Sequence, residues 1–98
     1  MTSLSITWVE NVFDAARSGI DGAAKWDDEF GMLDYVCPCG CKEIRSLPVK
    51  VGDKEPHSWK WDGDRIAPTF TPSIQHIPHK SGACNWHGFM TKGEWVSA

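Results

Sequence analysis

Three cysteines fall within five residues, Cys37-Pro38-Cys39-Gly40-Cys41, and the fourth, Cys84, stands three positions before His87. Nothing else in the chain restricts its fold as strongly. Cys sulfur and His nitrogen are the donors of tetrahedral zinc sites, and a tight turn presents two of them together. Pro38 fixes one φ angle, and Gly40 admits positive φ, so backbone N–H groups can turn toward the sulfurs. Cys84-Asn85-Trp86-His87 supplies the other half from a turn at the start of a strand. One ion joining the halves would tie the middle of the chain to its end. Structural zinc contributes roughly 10–16 kcal/mol apparent in finger peptides, against about 5–15 kcal/mol for a whole domain. Five donors compete for four positions. Cys84 and His87 fill two, so two of Cys37, Cys39 and Cys41 complete the shell, and the third is a free thiol or hydrogen-bonds near the metal. Four cysteines also allow three disulfide pairings, but a metal site is expected, with zinc the metal that suits mixed sulfur and nitrogen.

The rest of the chain reads as short strands. Leu4, Ile6 and Trp8 alternate with Ser5 and Thr7, a half-buried strand over 4–9. Residues 10–17 suit a short helix with Val12 and Ala16 on one side, ended by Ser18-Gly19. Gly19, Gly22 and Gly31 punctuate a stretch expected to be loop. Residues 32–37 lead as a strand into the cysteines. Ile44 to Val51 follows, with Pro48 demoting it to an edge or introducing a break, then Ser58 to Trp61. Pro68 and Pro72 exclude a long helix and make 68–74 extended. Gly88–Thr91 and Glu94–Val96 flank Lys92-Gly93, a hairpin signal. The expected fold is a small β-rich, zinc-stabilised domain, possibly α+β, of antiparallel strands and hairpins with one or two short helices. It is one domain over 1–98, in which an acidic segment, 1–30, precedes or packs on a zinc core, 32–96. Trp61, Phe70, Ile74 and Trp95 are expected to line the core around the metal.

Composition narrows the function classes. Apolar residues are 41% of the chain, with six Trp, four Phe and one Tyr, too many for a disordered segment. No apolar run approaches the roughly 20 residues of a membrane span. The start has no basic n-region or apolar h-region, so no secretory signal is expected. A cytoplasmic, reducing location follows, where disulfides are disfavoured. The net charge is −3, and residues 1–36 hold seven acids against Arg17 and Lys25. A nucleic-acid binder would show a strong basic patch, so the expected partner is an unknown protein. Asp27-Asp28-Glu29 is expected to be a solvated loop.

Other constellations are weaker. His76 and His79 could add a metal ligand, but solvent-facing loop histidines are expected, and so is an exposed His57. Ser73 follows Pro72 without a Gly-x-Ser-x-Gly elbow, so no serine nucleophile is expected. A hydrolytic zinc would need an open position and an acid or base such as Glu43, whereas a complete thiolate-rich shell is structural. Trp59-Lys60-Trp61 could stack on unpaired bases, but core tryptophans are the expected outcome.

Together these residues resemble a family of small bacterial and phage proteins. The likeness rests on Cys37-Pro38-Cys39-Gly40-Cys41, Trp61 before a turn, Pro68-Thr69-Phe70-Thr71-Pro72-Ser73-Ile74, Cys84-x-x-His87 and a hairpin ending in Trp95. It covers about residues 35–96. Some phage members carry an ammonia monooxygenase label, and others sit beside bacterial ubiquitin-like conjugation genes. The resemblance implies a zinc-binding β-rich domain of phage or prophage origin. Lys42 stands where many members have Gly, and Phe89 comes one residue later than the family aromatic. The expected role is a phage-type accessory protein acting by protein–protein interaction, with a nucleic-acid-binding zinc module and a zinc hydrolase as alternatives.

Overall fold

A computed structural model describes residues 3–50, 59–76 and 84–98. Among them, strands β1 (Ser3–Ser5), β2 (Thr7–Trp8), β3 (Ala23–Asp27), β4 (Met32–Val36), β5 (Ile44–Lys50), β6 (Trp59–Trp61), β7 (Phe70–Gln75), β8 (His87–Thr91) and β9 (Glu94–Ser97) form one sheet, and α1 (Val12–Arg17) is the only helix. The sheet order is β1-β9-β8-β7-β6-β5-β4-β3-β2. The two edge strands are successive pieces of the same segment, so the sheet curls into a nearly closed barrel. The small β-rich fold expected from the pattern is the fold observed. No helix of the described residues is long and apolar enough to cross a membrane.

The expected strand over 4–9 is split at Ile6. Its N–H bonds to Gly93 O on one side, and the Val9 N–H bonds to Ala24 O on the other. The one segment hands its first half to β9 and its second to β3. Strand β3 lies where a loop was expected. Its Ala-Ala-Lys-Trp-Asp sequence lacks β-branched residues, and it is held by tertiary pairing, with Ala24 opposite Tyr35 and Trp26 opposite Leu33. Just before it, Gly22 takes φ 73°. A Cβ there would meet the Trp95 ring at 2.8 Å, so glycine lets the largest core side chain lie against the backbone.

The barrel interior is filled by Leu33, Tyr35, Leu47, Phe70, Ile74, Met90 and Trp95, all 2% exposed or less. Three of the four expected core residues are there. Trp61 is half-buried and packs away from the cysteines, against Trp26. Helix α1 lays Val12, Ala15 and Ala16 over Ala23 and Val36 outside the barrel. Asn11 caps it by accepting the Phe13 and Asp14 N–H groups. The cysteines gather at one end of the barrel and three tryptophans at the other.

Candidate functional site

Strand β4 ends at Val36 and delivers Cys37, fully buried, to the start of the turn. The turn closes when the Cys37 N–H bonds to Glu43 O at 2.8 Å. Gly40 (φ 95°) and Lys42 (φ 66°) reverse the chain between them. Cys84 arrives from ahead of β8. The Sγ atoms of Cys37, Cys39, Cys41 and Cys84 all lie within 4.8 Å of one another. Cys37 and Cys39 are 3.2 Å apart, Cys37 and Cys84 3.4 Å, and Cys39 and Cys84 3.2 Å. These are free thiols, not disulfides. Tetrahedral thiolates about 2.3 Å from zinc stand about 3.8 Å apart, so the four sulfurs need to spread by about half an ångström to hold an ion. With that adjustment the four sulfurs together could hold a metal ion.

Burial pushes the Cys37 and Cys39 thiols up. Burial would raise Cys84 too, but hydrogen bonds from the Cys39 thiol, the Trp86 N–H and the other two thiols outweigh it and hold Cys84 down. An arriving cation must displace protons from these thiols.

His76 was expected in solvent. It is 2% exposed, because β7 runs one residue further than the proline pattern suggests and the His76 N–H pairs with Trp86 O at 2.8 Å. Its Nδ1 is 3.6 Å from Cys37 Sγ and 3.9 Å from Cys84 Sγ, and its Nε2 is 2.6 Å from the Tyr35 hydroxyl. Burial, reinforced by the Arg45 charge, holds the imidazole at about 4, so it is neutral at ordinary pH. Burial also keeps the Tyr35 hydroxyl protonated. The 2.6 Å contact ties Nε2 to the Tyr35 hydroxyl, and Nδ1 is the nitrogen that faces the sulfurs. Partners of this kind orient metal ligands and tune them. His57 and His79 lie outside the described residues.

His87 is not in the sulfur group. The expectation that Cys84 and His87 share one ion required a turn between them, but 84–87 runs extended. Residues two apart then share a face and residues three apart do not. Cys84 and Trp86 point inward, while His87 opens β8 on the outside with its ring 6.2 Å from Phe89. It stands opposite Gln75 of β7. Ser73, half-buried, precedes Gln75 by two residues, so strand alternation brings it to the same outer face. Its carbonyl accepts the Trp59 indole N–H at 3.2 Å. Ser73 precedes the Gln75–His87 pair by two residues and lies where the β7–β8 register shifts, between Phe70 and Ile74. A cavity of about 320 Å³ opens between β5 and β7, lined by Arg45, Trp59, Ile74, Gln75 and His76 among others.

A family model described as bacterial ubiquitination-like system serine protease (BubE) matches residues 12–98. The chain belongs to the BubE family. No curated protein and no solved structure matches it. BubE membership overturns the expected phage accessory role: the family is that of a bacterial system and carries the name of a protease. It agrees with the part of the resemblance that pointed to bacterial ubiquitin-like conjugation, and it names neither a phage nor a zinc family. It also changes the weight of Ser73. The missing Gly-x-Ser-x-Gly elbow argued against a serine nucleophile, but that elbow is one fold's device, and serine catalysis recurs on unrelated folds with other geometries.

Proposed function

We propose that this BubE chain is a serine protease of a bacterial ubiquitination-like system in which Ser73 is the nucleophile and His87 its base. The observation that carries this is the parity of residues 84–87. Cys84 goes to the sulfur cluster, and His87, three positions on, is turned out to the face that holds Ser73. Both residues belong to the motifs behind the family resemblance, and neither is used by the cysteine cluster. Other described side chains serve less well. Ser46 donates to Asp34 at 2.6 Å, Ser97 accepts the Trp86 indole N–H, and His76 has both nitrogens engaged.

His87 removes the Ser73 hydroxyl proton as Oγ attacks the scissile carbonyl. The same imidazole then protonates the leaving amine, and water releases the acyl group from Ser73. Cys37, Cys39, Cys41 and Cys84 would hold zinc, the metal that suits four thiolates in a tetrahedron. A shell closed by four sulfurs leaves no position for a reacting water, so the ion supplies structure, fixing the strand ends that carry His87.

A fluorophosphonate probe tests this without a known substrate. The expected result is one adduct that maps to Ser73 by peptide mass, vanishes in Ser73→Ala and forms about 10²–10⁴ times more slowly in His87→Ala. An adduct on another serine, or unchanged labelling of Ser73→Ala, would sink the assignment.

A further inference from the structure

The barrel end opposite the cysteines is built to present a loop. Between β6 and β7, three successive carbonyls each accept an indole N–H: Asp64 O from Trp61, Arg65 O from Trp26 and Ile66 O from Trp8, all at 3.0 Å. Asp64 Oδ1 accepts the Ile66 and Ala67 N–H groups at 2.9 Å. Trp8 stacks on Trp26, and Trp26 packs on Trp61. Arg65 lies over the Trp26 ring and grips Asp28 with two hydrogen bonds, which fastens this loop to the β3–β4 turn. The loop backbone is satisfied internally, yet Ile66 at its tip is 79% exposed and Phe30 on the fastened turn is 68% exposed. They are the two most exposed large apolar side chains described. Asp27, Asp28, Glu29, Asp62 and Asp64 lie in and beside the same two loops, whose one cation, Arg65, is paired with Asp28, while Lys92 stands on the adjoining β8–β9 turn, which bonds to Thr69 Oγ1.

We infer that this end docks the folded part of the protease's protein substrate, a ubiquitin-like domain that offers an apolar patch rimmed by Lys and Arg. The inference rests on the protease assignment above and gives that site its means of recognition. A loop already held in shape loses little entropy on binding, and two apolar anchors inside an acidic rim select a basic-rimmed apolar face. A second copy of this chain is a poor occupant, because two acidic ends would meet. Ser73 lies seven residues past Ile66, at most about 25 Å of extended chain, so a docked domain reaches it with about seven residues of extended tail.

The test uses the full chain with Ser73→Ala, titrated with the ubiquitin-like protein of its own system. Ile66→Asp with Phe30→Asp is expected to weaken binding at least tenfold, and Glu29→Lys to weaken it and flatten its salt dependence. Thermal midpoints should not move, since these side chains are exposed. In the Ser73 form, the same changes should raise KM for the intact protein and leave cleavage of a short tail peptide unchanged. Wild-type affinity in the double variant overturns the docking surface, as does equal loss of peptide cleavage, or a wild-type dimer that Ile66→Asp disperses. Absence of any cleavage by the unmodified chain, with Ile66-dependent binding intact, removes the protease assignment alone.

Discussion

Stripping the metal from the four-cysteine centre should cost this chain much of its stability, and the minimum follows from its connectivity. Cys37 and Cys84 are 47 residues apart, so an ion bound to both closes a loop of that length. The entropy removed from the unfolded chain by such a cross-link is worth about 4 kcal/mol in the chain-entropy description. A domain of this size has about 5–15 kcal/mol in total. Four neutral thiols can stay packed with little penalty, so the cross-link is the floor of the loss. At about 4–8 °C per kcal/mol for a small domain, the midpoint should fall by about 15–30 °C or folding should fail outright. The assay is thermal melting by circular dichroism of zinc-loaded protein and of protein stripped with chelator under reducing conditions. Melting points within about 5 °C of each other would refute the claim that the cluster holds the fold through an ion.

Three further outcomes follow. Gly88→Ala places a Cβ against Val96 O and 2.5 Å from the Trp86 ring, and overpacking of this kind costs about 1–3 kcal/mol; a chemical-denaturation midpoint at the wild-type value would count against the β8–β9 register. Tyr35→Phe removes the hydroxyl that holds His76 Nε2 and so orients the ring beside the sulfurs, and loss of such a partner weakens metal affinity about 10–100-fold, read by competition with a chromogenic chelator. Hydrogen bonds from the Ala67 and Ile66 N–H groups hold the Asp64 carboxyl below the usual range. Its stabilising effect is therefore complete above the unfolded value and is lost as pH falls through the folded one. Amide exchange at Ile66 and Ala67 should speed up in strong acid beyond its intrinsic pH dependence, and in Asp64→Asn this extra dependence should be gone.

Much of the fold was legible because it rests on local pattern. Alternation in 4–9, the strand entering the cysteines over 32–37, the Ser18-Gly19 stop after the helix and the Lys92-Gly93 turn each correspond to an element. Strand β3 was hidden because alanines carry no strand signal, and their burial is decided by Tyr35, α1 and Trp95, which are distant in sequence. The tryptophan clasp joins residues up to 58 positions apart and has no local signature. At the candidate site the cysteines were legible from spacing alone. His87 was expected beside Cys84 because Cys-x₂-His was taken as a turn, whereas the His76–Trp86 pairing carries the chain into β8 and leaves His87 outside the sulfur group. The inward-facing Trp86 between Cys84 and His87 was the available signal.

The ligand set of the bound metal decides the most, because a His87 coordinated to an ion cannot act as a base. X-ray absorption at the zinc edge of the loaded protein should show four sulfurs at about 2.3 Å and no nitrogen, unchanged in His87→Ala. A nitrogen neighbour near 2.0 Å that disappears in His87→Ala would contradict the account.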